Sequence, residues 1–69
     1  MNLKQMEYFV AAAEQLNFTR AAKKCFISQT AMTLQIQSLE EKIGVPIFVR
    51  AKHHVELTAA GKVYLNEAR

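Results

Sequence analysis

Gln29, Thr30, Thr33, Leu34 and Gln37 are the residues whose types and spacing suggest chemistry. At about 100° per residue, Thr30, Leu34 and Gln37 share one helix face with Glu41, Thr33 lies beside them, and Gln29 opens the helix. Met32, Ile36, Leu39 and Ile43 recur on the opposite side as a buried stripe. The outer face of the first two turns thus carries amides, hydroxyls and one leucine, and no charge. A helix that is merely solvated usually shows Lys and Glu there. Side chains that both donate and accept hydrogen bonds suit base edges in a DNA major groove, and a leucine suits a thymine methyl. The stretch reads as a recognition helix for double-stranded DNA.

Other reactive residue types do not assemble into a site. Cys25 is the single cysteine, set between Lys24 and Phe26, and reads as a small half-buried hydrophobe in a reducing setting. His53 and His54 are adjacent, so in a hairpin they point to opposite faces, and no close Cys or acidic residue completes a metal site. One of these imidazoles near a phosphate would tighten binding as pH falls through the ordinary histidine range. The chain has no Asp, no Gly-rich phosphate loop and no visible nucleophile–base pair, so no enzyme is expected. Neither a metal nor a cofactor is expected within these residues.

The elements that must position these residues follow from caps and periodicity. Ser28 is a good N-cap for the recognition helix and Gly44 a good left-handed terminator. Upstream, Asn2 with Gln5 resembles a capping box that opens a first helix of about residues 3 to 16. Its apolar stripe is Leu3, Met6, Phe9, Val10, Ala13 and Leu16, with Lys4, Glu7 and Glu14 facing water. Asn17 and Thr19 are both plausible caps for a short second helix running to Cys25, with Ala22 as its close contact to the third. The apolar link Phe26-Ile27 is expected to be pinned into the core. Two helices joined by such a turn make a helix-turn-helix, at about residues 18–37.

Val45-Pro46 bars continuation of the third helix. Ile47 to Arg50 and Val55 to Leu57 read as two strands joined by Ala51-Lys52-His53-His54, a wing with a basic tip. Thr58 caps a last helix from Ala59, with Ala60, Val63, Tyr64 and Ala68 as its apolar positions. No stop signal precedes Arg69, so the expectation is a truncated fragment, or a domain whose last helix continues as a linker. The fold class expected is mainly α: a winged helix-turn-helix with a three-helix core, a two-stranded β wing and a C-terminal linker helix. Residues 1–58 form the winged domain and 59–69 start the linker.

Size and charge agree with that reading. Sixty-nine residues make one small domain, and 51% hydrophobic content is enough for a packed core. Nine Lys and Arg against six Glu leave a net charge of +3, mildly basic and compatible with nucleic acid. No run of about 18 apolar residues spans a membrane, and the N-terminus lacks a signal-peptide layout.

Taken together, the segments Leu3 to Phe9, Phe18 to Ala22, Ile27 to Gln29, Leu39 to Glu41, Gly44 to Arg50 and Leu57 to Gly61 resemble the N-terminal DNA-binding domain of LysR-type transcriptional regulators. The resemblance spans essentially the whole chain. It implies a bacterial, cytoplasmic regulator with a C-terminal domain that binds a small-molecule effector. It also implies a homodimer joined through the last helix, here Val63, Tyr64 and Ala68, and tetramers at full length. By the same resemblance Gln29, Thr30 and Thr33 reach bases, while Arg50 and the wing tip, Lys52, His53 and His54, approach the backbone and minor groove. Thr30 stands where the family usually has proline, and Leu34 where arginine is common. A winged helix used for protein association is the alternative function.

Overall fold

The computed structural model of the protein describes residues 2–51 and 54–68. Its described elements run α1 (Leu3–Gln15), α2 (Phe18–Lys24), α3 (Gln29–Ile43), β1 (Phe48–Arg50), β2 (Val55–Leu57) and α4 (Ala59–Ala68). This is the winged helix-turn-helix expected from the caps and periodicity. Each of the first three helices starts on a polar side chain that accepts an otherwise orphaned backbone N–H. Asn2 Oδ1 takes the Gln5 N–H at 2.8 Å, Asn17 Oδ1 that of Arg20 at 3.0 Å, and Ser28 Oγ that of Ala31 at 3.0 Å. Asn17, rather than Thr19, is therefore the cap of α2. Gly44, at φ 88°, ends α3 in the left-handed conformation that a Cβ would strain.

The core joins Phe9, Ala11, Ala12 and Ala13 of α1 with Ala21 and Ala22 of α2, Met32, Ile36 and Leu39 of α3, and Ile47 before the wing. Helix α1 packs against α2, α3 and α4, so it buries more than one stripe. Small residues at positions 11–13 let three neighbours approach it together. Leu3, Met6 and Val10, expected on the buried stripe, lie instead outside the core along an open groove shared with Phe26 and Ala68, with Leu3 73% exposed. Helix α1 ends at Gln15, and Leu16 follows as a left-handed C-cap. The capping box is only half formed. Asn2 serves as the cap, but buried Gln5 turns its side chain away, and its Oε1 accepts from Lys42 Nζ at 3.2 Å.

The link between α2 and α3 departs from expectation. Ile27 is partly buried against the core, whereas Phe26 is 95% exposed at φ 60°. The left-handed turn needed to redirect the chain swings its side chain outward. In the wing, β1 and β2 pair antiparallel with Phe48 opposite Leu57 and Arg50 opposite Val55. Ile47 lies just before the observed strand, and its backbone is committed elsewhere: its N–H donates to Glu40 Oε2 at 2.8 Å and its carbonyl accepts from Thr58 N–H at 3.1 Å.

Helix α4 turns Gly61, Tyr64, Leu65 and Ala68 toward the core, while Val63 points outward at 57% exposure. The expected apolar face was thus rotated slightly from the one that packs. Glycine at position 61 is required by proximity. A Cβ there would overlap the Ile47 carbonyl oxygen and come within 2.9 Å of Leu57 Cδ2. No described helix is long and apolar enough to cross a membrane.

Candidate nucleic-acid interface

Gln29, Thr30, Leu34 and Gln37 are exposed along α3, and Thr33 is half-buried between them and the wing. Their backbone is fixed before any ligand arrives. Ser28 caps the helix, while Met32, Ile36 and Leu39 anchor the opposite face in the core. Leu34 is 59% exposed, an apolar side chain held among polar ones with no core to satisfy it. The face is bounded by chemistry too. Glu41, one turn past Gln37, is exposed, and a carboxylate there would repel phosphates. A polyanion lying along α3 would therefore be favoured toward the start of the helix, up to Gln37, where the first N–H groups add a dipole that attracts anions.

The wing is tied to this helix by hydrogen bonds. Glu40 Oε2 accepts from the N–H groups of Ile47 and Phe48 at 2.8 and 3.2 Å, so the side of α3 that faces away from solvent holds the first strand. Val55 N–H donates to the Leu16 carbonyl at 3.2 Å, and Thr58 Oγ1 donates to the Pro46 carbonyl at 2.8 Å. These bonds bring Arg50 and Gln29 onto one open cleft of about 260 Å³, lined also by Asn17, Phe18, His54 and Val55. A second, smaller crevice of about 80 Å³ places Thr33 and Gln37 opposite Arg50. Five of the eight expected contact residues lie on α3, and Arg50 faces the same space from the wing. Lys52 and His53, expected at the wing tip, lie outside the described residues.

Arg50 has no carboxylate within ion-pair distance among the described residues. Its guanidinium carbon instead lies 5.9 Å from the centroid of the Phe18 ring. Phe18 meets Phe48 edge-on at 5.3 Å, and Phe48 meets Phe9 at 5.9 Å. Sequence reasoning missed Phe18 as part of this site. Its only local signal was an aromatic residue directly after a cap, and nothing in spacing links it to Arg50. His54 sits 3.5 Å from Glu56 and lines the cleft beside Arg50.

Away from this face, Cys25 is the one described titratable group with a resolved pKa shift. Cys25 is partly buried, and that burial, followed by the nearby Glu7 carboxylate, pushes its thiol pKa up. A thiol held protonated is a poor nucleophile. Among the described residues no three His, Cys, Asp or Glu side chains gather where a metal could be held. Of the expected dimer residues, Val63 is free on the outside of α4, whereas Tyr64 and Ala68 divide their surface between core and solvent.

Residues 3–62 match the family described as bacterial regulatory helix-turn-helix protein, lysR family. The chain is 52% identical over 68 residues to the Hca operon transcriptional activator HcaR of Escherichia coli, covering 99% of this chain and 23% of that protein. It is 45% identical over 69 residues to the transcriptional regulator AlsR of Bacillus subtilis, again covering 23% of the relative. The chain therefore spans about a quarter of the length of these curated relatives. Among solved structures, the CbnR DNA-binding domain in complex with DNA superposes with a TM-score of 0.95 at 43% identity, covering 100% of this chain and 79% of that one. The BenM DNA-binding domain on its benA site 1 DNA gives 0.93 at 38% identity, covering 99% and 76%.

Proposed function

The chain belongs to the lysR family of bacterial regulatory helix-turn-helix proteins, and from that premise we propose that it binds double-stranded DNA sequence-specifically, without catalysis. Helix α3 enters the major groove. Gln29, Thr30 and Thr33 hydrogen-bond base edges, and Leu34 packs on a thymine methyl. Gln37 lies near the phosphates, and Arg50, with Lys52 and His53, meets the flanking backbone and minor groove. The observation that carries this reading is the shared cleft. An uncharged, exposed helix start with a preset backbone faces the same space as an arginine whose charge no described carboxylate answers.

The DNA complexes of CbnR and BenM support the assignment, because both superpose over nearly all of this chain. Two copies joined through Val63, Tyr64 and Ala68 would place their recognition helices on half-sites about 34 Å apart, or a multiple of it. At full length, a tetramer and a small-molecule effector site on the remainder of the protein complete the proposal, in the cytoplasm of a bacterium.

The test is a pair of substitutions read on two duplexes. Gln29→Ala and Thr33→Ala are each expected to cost about 1–3 kcal/mol on a duplex selected from random sequence, and little on unselected DNA. Equal losses on both duplexes would mean that these residues only position the backbone. No salt-sensitive binding to any duplex would favour protein association through Leu34 and its polar neighbours.

A further inference from the structure

Arginines at the edge of a two-stranded hairpin are long, mobile side chains, and holding one in place costs conformational entropy. Here Arg50 is exposed, yet its guanidinium carbon lies 5.9 Å from the centroid of the Phe18 ring, within the range at which a cation is drawn to an aromatic face. Phe18 cannot swing freely. It is the first residue of α2, directly after the Asn17 cap, and it meets Phe48 at 5.3 Å with their planes at 90°. Phe48 in turn meets fully buried Phe9 at 5.9 Å. A line of aromatic rings thus runs from the centre of the core to the guanidinium. The cleft that this guanidinium faces also holds Gln29 at the start of α3.

We infer that Phe18 is a positioning residue for DNA binding: its ring fixes Arg50 in the cleft beside Gln29, so that the wing arginine is ordered before it meets a phosphate. The inference rests on the DNA-binding reading above and adds a residue that acts through Arg50. Pre-ordering removes part of the entropy that Arg50 would otherwise lose on contact, so affinity gains without a new contact. Because phosphates carry no sequence information, the effect falls on all duplexes alike.

The measurement is a double-mutant cycle on an unselected duplex of about 20 base pairs at low salt. Phe18→Leu should weaken binding about two- to five-fold when Arg50 is present, and leave it unchanged in the Arg50→Ala background. Phe18→Tyr keeps the ring and should restore wild-type affinity. Equal losses in both backgrounds would show that Phe18 only supports the fold, and overturn the inference. Should Phe18→Leu fail to fold, the proton spectrum of the unaltered protein decides. Arg50 δ-methylene protons shifted upfield by the ring support the inference, and unshifted ones overturn it. Failure of the DNA-binding reading itself looks different, because the unaltered protein would then bind no duplex.

Discussion

At the scale of single residues, backbone conformation sets the most specific constraints. Phe26 takes φ 60°, a region that costs an L-residue about 1–2 kcal/mol, and its side chain is almost wholly in solvent. Asparagine tolerates that conformation better, and little apolar burial is lost on replacement. Phe26→Asn is expected to stabilise the fold by on the order of 0.5–1 kcal/mol, read as a rise in the thermal midpoint. A fall of similar size would show that the exposed ring contributes packing along the open apolar groove it shares with Leu3, Met6 and Val10. The proposed contact residues of α3 behave in the opposite manner. Their conformations are ordinary helix, so replacing them should change recognition while leaving stability nearly untouched.

At the scale of elements, the junction between the wing and α4 leaves no room for a side chain at Gly61. Alanine is normally favoured over glycine in a helix by about 1 kcal/mol. At position 61 that preference should be outweighed, because the new methyl group would collide with the Ile47 carbonyl, which is backbone and cannot step aside. Gly61→Ala is expected to destabilise the fold by about 1–3 kcal/mol in a denaturant titration. A gain instead would mean that α4 slides readily on the hairpin. The same backbone of Ile47 is held from the other side by Glu40 of the recognition helix. One short segment therefore fixes the wing relative to both α3 and α4, and Arg50 inherits its place from that arrangement.

At the scale of the whole molecule, charge is modest: +3 on 69 residues. Attraction to DNA therefore depends on a few placed cations rather than on a broad basic field. If each bound chain neutralises about three phosphates, the logarithm of the binding constant should fall with the logarithm of salt concentration with a slope near −3. A slope near zero on every duplex would rule out backbone contact and with it the role given to Arg50. Doubling the slope on joining two chains would agree with a dimer that engages both half-sites.

The order of helices, their caps and the exposed face from Gln29 to Gln37 were legible in the sequence, because they depend on residues within a turn or two of one another. Ser28 and Gly44 act locally, and the Met32, Ile36 and Leu39 stripe leaves only one face of α3 for solvent, whereas the choice of Asn17 over Thr19 as the cap of α2 was open until the structure made it. The outward swing of Phe26, the burial of Gln5 against Lys42 and the ring of Phe18 beneath Arg50 were not legible. Each depends on where a second element lies in space, and periodicity along one segment carries no information about that. The rotation of α4 was settled in the same way, by the room that a glycine leaves against the Ile47 carbonyl. Local hydrogen bonding and apolar spacing thus specified which face is presented. Close packing between distant segments decided how the arginine beside it is held.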